Sequence, residues 1–109
     1  MTNNLLPVSF SKKARKQLKK FRKSDRTLFM LIEEAITDIR QDPSIGEAKW
    51  GDLDGYFGYD VYHQINPRKQ INYEICYQVE TDENGDIIAI VFMGPRENFY
   101  DDLKRYLGI

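Results

Sequence analysis

The stretch INYEICYQVE-TDENGD-IIAIVFM, residues 71–93, constrains the fold more tightly than any other part of the chain. Its first part places Ile71, Tyr73, Ile75, Tyr77 and Val79 on one side and Asn72, Glu74, Cys76 and Gln78 on the other, the two-residue period of a strand. Asn84-Gly85 is a strong hairpin-turn signal, because both residue types accept the positive φ that a two-residue turn demands. IIAIVFM is then apolar on both sides, as a central strand covered on both faces should be. The second half of the chain is therefore organised around a sheet whose last strand is internal.

The preceding residues supply the cover. LLPVSF reads as a short strand, with Pro7 marking an edge or entry position. SKKARKQLKKF follows as a helix, with Ser11 as N-cap and Ala14, Leu18 and Phe21 as its buried stripe. After the break KSDR, where Ser24 or Asp25 can cap, a second helix near Thr27 to Arg40 buries Leu28, Ile32, Ala35, Ile36 and Ile39. So short a link predicts an antiparallel helical hairpin. QDPSIGEAKWGDLDGYFG is rich in turn formers. YDVYHQI alternates, with Tyr59, Val61, His63 and Ile65 opposed to Asp60, Tyr62 and Gln64, and NPRK turns the chain into residue 71. ENFYDDLKRYL closes as a short helix burying Phe99, Leu103 and Leu107. The expected fold is α+β and two-layered: an N-terminal strand, a helical hairpin packed on a twisted, mostly antiparallel sheet, and a short C-terminal helix.

At 109 residues, 41% of them apolar, the chain is expected to be one domain spanning 1–109. No run approaches a membrane helix and the first residues do not read as a secretory signal, so the expected location is cytoplasmic. A lone Cys76 excludes an internal disulfide and argues against a zinc cluster; neither metal nor cofactor is expected. The net charge of −1 conceals a division. Residues 1–26 hold nine Lys/Arg against Asp25 alone, a balance of +8 against −9 for the rest. That pattern fits a basic element meeting nucleic acid or an acidic partner, and equally a solvated helix balanced by Glu33, Glu34 and Asp38 on its neighbour.

Three pieces in this order resemble the RelE/ParE superfamily of toxins from bacterial type II toxin–antitoxin systems. They are FSKKARKQLKKF after an opening strand, KWGDLDGYFGYDV entering the sheet, and YEICYQV, a turn, then IIAIVFMGPRENFY with its Gly-x-Arg and following Tyr. The resemblance implies the fold just described and a cognate antitoxin as partner. It also implies one of two activities: cutting messenger RNA on the ribosome, as RelE- and YoeB-like members do, or poisoning DNA gyrase, as ParE-like members do. Fold alone does not choose between them.

Metal-free RNA cleavage needs a base for the 2′-hydroxyl, a cation for the charge developing on phosphorus, and an acid for the leaving oxygen. By resemblance Arg96 is the stabilising cation, on a backbone stiffened by Pro95; its plain alternative is an exposed Arg balanced by Glu97. Tyr100 stands where relatives place a Tyr that stacks or assists proton transfer, or else packs the last helix. Glu74 occupies a position where relatives carry Arg, and Gly58, Tyr59 and Asp60 replace their strand cations. Glu74 is a candidate base, the commoner reading being a surface glutamate. His63 has suitable chemistry, but alternation places it with Val61 and Ile65, as a buried or edge histidine. Lys12, Lys13, Lys16, Lys19 and Lys20 on the first helix, Lys49, and Arg68 and Lys69 in the turn are candidate RNA-backbone contacts. Trp50 and Tyr56 read as core or rim aromatics able to stack a base, Tyr106 and Cys76 as packing. The preferred reading is a ribosome-dependent messenger-RNA endoribonuclease acting on ribosome and mRNA. Its alternatives are a non-enzymatic gyrase inhibitor, a binding-only homologue, and an adaptor whose basic helix face meets an acidic protein.

Overall fold

The computed structural model describes residues 5–109. In chain order they form β1 (Val8–Phe10), α1 (Lys12–Ser24), α2 (Arg26–Gln41), β2 (Glu47–Ala48), β3 (Phe57–Asn66), β4 (Lys69–Asp82), β5 (Gly85–Pro95) and α3 (Phe99–Leu107). The sheet runs in the order β1-β5-β4-β3-β2, antiparallel throughout except where β1 lies parallel to β5. The expected α+β architecture is therefore present, and β5 is internal as its two-sided apolarity demands.

Local chemistry fixes the helical hairpin. Ser11 Oγ accepts the Ala14 N–H at 2.9 Å and donates to the Val91 carbonyl at 2.6 Å, so one hydroxyl caps α1 and ties it to β5. A single residue, Asp25, separates the helices, and its Oδ1 accepts from Leu28 N–H at 3.1 Å to cap α2. Leu28, Ile32, Ala35, Ile36 and Ile39 are all buried, forming the main core with Ala14, Ile75, Tyr77, Ile88, Ile90 and Met93. Gln17 acts as a strand surrogate where β1 ends: its side-chain amide donates to Met93 O at 2.6 Å and accepts from Met93 N–H at 2.9 Å. The edge of β5 is thus satisfied without a further strand.

The other sheet face carries a smaller core of Leu53, Cys76, Phe92, Phe99 and Leu103, covered by α3. A β-bulge lets β5 serve both cores. The register slips between Cys76 and Tyr77, which pair with Phe92 and Ile90, and Val91 is the extra residue. Ile88 and Ile90 face the helical hairpin before it and Met93 after it, while Phe92 turns to α3.

Two expectations need correction. Ile65 was expected on the buried face but is exposed, because the pairing shifts between Gln64 and Asn66 and residues 64–66 run beyond the cover. The turn-rich segment 41–58 also contributes the short edge strand β2, paired with Phe57 and Gly58.

Asp25 carries a second duty, since its Oδ2 lies 3.1 Å from Nε2 of the buried His63 and pins the hairpin turn to β3. Asp25→Ala removes both the cap and the partner of that ring. It is expected to lose about 1–3 kcal/mol of stability, read as a lower urea midpoint at unchanged slope.

Candidate functional site

Cross-strand register assembles the site on the sheet face away from the helical hairpin. Asp60 on β3 pairs with Glu74 on β4, and Glu74 pairs with Gly94 on β5, two residues before Arg96. Gly58 pairs with Cys76 one step along. Gly58, Asp60, Glu74 and Arg96, together with Lys49 from the loop after β2, line a groove of about 310 Å³.

Arg96 does not stand free in the groove. Its Nη1 donates to Asp60 Oδ2 at 2.8 Å, with both side chains partly exposed. The expected balancing acid, Glu97, is not its partner. Pro95, with φ near −60° and ψ near 140°, sets the chain leaving β5 and delivers Arg96 across β4 to β3.

Glu74 is buried, with 1% of its surface exposed, which overturns its reading as a surface glutamate. The alternation was right about its side of the strand, but that side is covered here. Lys49 Nζ lies 3.3 Å from Glu74 Oε2, yet no donor is aligned on that oxygen, which is sealed from water. Burial drives the Glu74 carboxyl above its ordinary pKa, and the neighbouring Lys49 only partly offsets this. For Lys49 the balance is reversed. Burial pulls its ammonium down, but the bond to Tyr100 and the charge of Glu74 outweigh that and raise it. The difference follows from burial, for the Glu74 side chain is 2% exposed and that of Lys49 12%.

Lys49 is the junction of the cluster. Its Nζ donates to Tyr100 Oη at 2.5 Å, sits 5.0 Å from the centre of that ring, and lies 3.6 Å from Glu47. Gly58 makes the arrangement possible. A β-carbon there would overlap Glu74 Oε2 and come within 2.8 Å of Lys49 Cε. The glycine standing where a strand cation was expected is the space that the Glu74–Lys49 pair fills.

The other candidates are placed elsewhere. His63 lies on the opposite face against Asp25, so it is not brought to the groove, and its Nδ1 is buried without a partner. Arg68 and Lys69 are exposed at the β3–β4 turn, roughly 20 Å along the strand from Asp60 at about 3.3 Å per residue. Lys12, Lys13, Lys16, Lys19 and Lys20 are all exposed along α1, which packs on the hairpin side of the sheet. None of them forms an ion pair among the described residues, so Glu33, Glu34 and Asp38 do not balance them. Trp50 is 81% exposed, which excludes the core alternative and leaves it a rim aromatic. Cys76 is packing: burial pushes its thiol up to about 12. Among the described residues no cluster has the composition of a metal site. The role of Asp60 was missed, since only the register across three strands reveals it.

Residues 8–104 match the family described as ParE-like toxin of type II bacterial toxin–antitoxin system. The chain belongs to this family of toxins, within the RelE/ParE superfamily. The fold agrees with two solved structures. The YoeB/ParE toxin from Agrobacterium tumefaciens superposes with a TM-score of 0.64 at 15% identity, over 84% of this chain and 99% of that one. A mutant of the E. coli toxin RelE in the free state gives 0.59 at 14% identity, over 94% and 98%. No curated protein matches the chain in sequence. Membership of a type II toxin–antitoxin family implies an antitoxin partner. No helix among the described residues of this toxin is long and apolar enough to cross a membrane.

A carboxyl whose pKa is raised by folding stabilises the protein fully below its ordinary value of 4.5, and that contribution fades as pH climbs through the raised value. The stability advantage of wild type over Glu74→Gln is therefore expected to be greatest below pH 4.5 and to shrink on going upward. Denaturant melts of both proteins across pH measure it, and a difference that is flat or grows with pH would contradict the burial account.

Proposed function

We propose that this toxin inhibits translation by metal-free cleavage of messenger RNA on the ribosome, through the groove between Lys49, Glu74 and Arg96. The observation that carries the reading is a buried carboxyl lining one groove with an ammonium and a guanidinium, the ammonium being bonded in turn to the Tyr100 phenol of the adjoining pocket. With Lys49 turned to the substrate phosphate, Glu74 would be uncovered as general base towards a 2′-hydroxyl, and burial makes it more basic than an ordinary carboxylate. Arg96 faces solvent and can exchange Asp60 for phosphate oxygens, stabilising the charge on phosphorus. Tyr100, held by Lys49, orients the substrate or assists the leaving oxygen. His63 has no part in this scheme. The unpaired cations of α1 supply phosphate contacts to ribosomal RNA, adding affinity without sequence reading.

One observation favours a second reading, a non-enzymatic toxin that binds a protein target such as a topoisomerase. Both groove cations are already faced by carboxylates, with Glu47, Asp60 and Glu74 outnumbering Lys49 and Arg96.

Mapping messenger-RNA 5′ ends in cells expressing the toxin, beside a gyrase supercoiling assay, separates the two. Ribosome-phased cuts are expected, reduced about 10²–10³-fold by Arg96→Ala, the usual effect of removing one transition-state donor. Absence of cuts with loss of supercoiling would establish the second reading instead.

A further inference from the structure

Trp50 is the one large aromatic side chain that the fold turns almost fully into water. Its position is rigid. The loop is closed by Lys49 N–H on Tyr56 O at 2.9 Å, and within it Leu53 N–H bonds Trp50 O at 3.2 Å and Tyr56 N–H bonds Leu53 O at 3.0 Å. Gly51, at φ +65°, reverses the chain immediately after the indole and keeps the ring outside. The ring therefore stands on a fixed platform and has been given nothing of its own chain to pack against.

The space beside it is a second pocket of about 320 Å³, lined by Glu47, Lys49, Trp50, Leu53, Tyr100 and Lys104. Leu53 is buried at its base, Tyr100 is the second aromatic wall, and the ammonium groups of Lys49 and Lys104 stand at the rim. Lys104 is only loosely engaged, 3.9 Å from an exposed Asp52. The pocket adjoins the Arg96 groove, for Glu47 and Lys49 line both.

We infer that this pocket is a base-stacking subsite for single-stranded RNA, in which Trp50 and Tyr100 receive a nucleobase next to the cleaved position and Lys104 meets its phosphate. Flat aromatic walls with cations at the rim are what a nucleotide requires: every base has a π-face, and its backbone brings one negative charge. An acidic protein segment would also meet Lys49 and Lys104, but it brings no flat ring for Trp50 and Tyr100, and the pairing of aromatic side chains with cations favours a nucleotide. The subsite rests on the RNA-cutting reading for its ligand class, but not on any particular base or acid in the groove.

The chain contains a single Trp, so fluorescence excited selectively at the indole reports this pocket alone. The probes are a single-stranded 2′-O-methyl RNA hexamer, which offers no nucleophilic hydroxyl, a short RNA duplex with its bases stacked away, and polyglutamate for an acidic protein segment. Quenching of Trp50 by the hexamer and not by the duplex is expected. Trp50→Ala should weaken hexamer binding about tenfold or more, measured by anisotropy of a labelled strand, and Trp50→Phe should largely restore it. With so exposed a side chain, neither change should alter the denaturation midpoint. No quenching by the hexamer, or quenching by polyglutamate alone, overturns the subsite. Quenching in a protein that makes no cuts in cells leaves the subsite standing and removes the nuclease reading. Cuts that Trp50→Ala does not change, without quenching, remove the subsite and leave that reading intact.

Discussion

A carboxylate buried beneath an ammonium, Glu74 under Lys49, is the interaction on which the working face of this toxin depends. It joins three parts of the chain that have no local reason to meet: β4, the loop leaving β2, and α3 through Tyr100. The environment that keeps water from Glu74 also raises its pKa, so the pair is an incompletely compensated charge cluster rather than a simple stabilising bridge. Gly58 is the concession that permits it, since any side chain on β3 at that point would displace one partner. Arg96 and Asp60 then form a second, more exposed pair in the same groove, and the two pairs between them set its charge.

The opposite face of the sheet is organised by different physics. There the helical hairpin buries an aliphatic stripe, and the polar groups present are spent on anchoring: Ser11 and Gln17 on the backbone of β5, and Asp25 on His63. The bulge at Val91 exchanges the faces of the β5 residues beyond it, giving Ile90 and Met93 to the hairpin and Phe92 to α3. Charge is likewise divided. The α1 cations lie on the hairpin side with no acid paired to them among the described residues, while the groove holds more carboxylates than cations.

Much of this was legible in the residues because it rests on period and local chemistry. The stripe Leu28–Ile39, the Ser11 and Asp25 caps and the hairpin signalled by Asn84-Gly85 each declare themselves within a few positions, though the turn itself is Glu83-Asn84 and only Gly85 takes a positive φ. The misreadings share a cause. Alternation states which side of a strand a residue occupies, not whether that side is covered, so Glu74 read as surface although Lys49, from the loop after β2, lies over it. For Trp50 the residues left core and rim open, and the choice of the rim depends on a loop that reverses at Gly51. The Arg96–Asp60 pair joins residues 36 positions apart, and only the register of β3, β4 and β5 brings them together.

The central claim, that a buried Glu74 is held by Lys49 as the core of the groove, is tested most directly by carbon NMR of the Glu74 carboxyl through a pH titration. The account requires a midpoint above the ordinary 4.5, moving higher still in Lys49→Met once the opposing cation is gone. A midpoint at the ordinary value, indifferent to Lys49→Met, would show a solvated glutamate and contradict it.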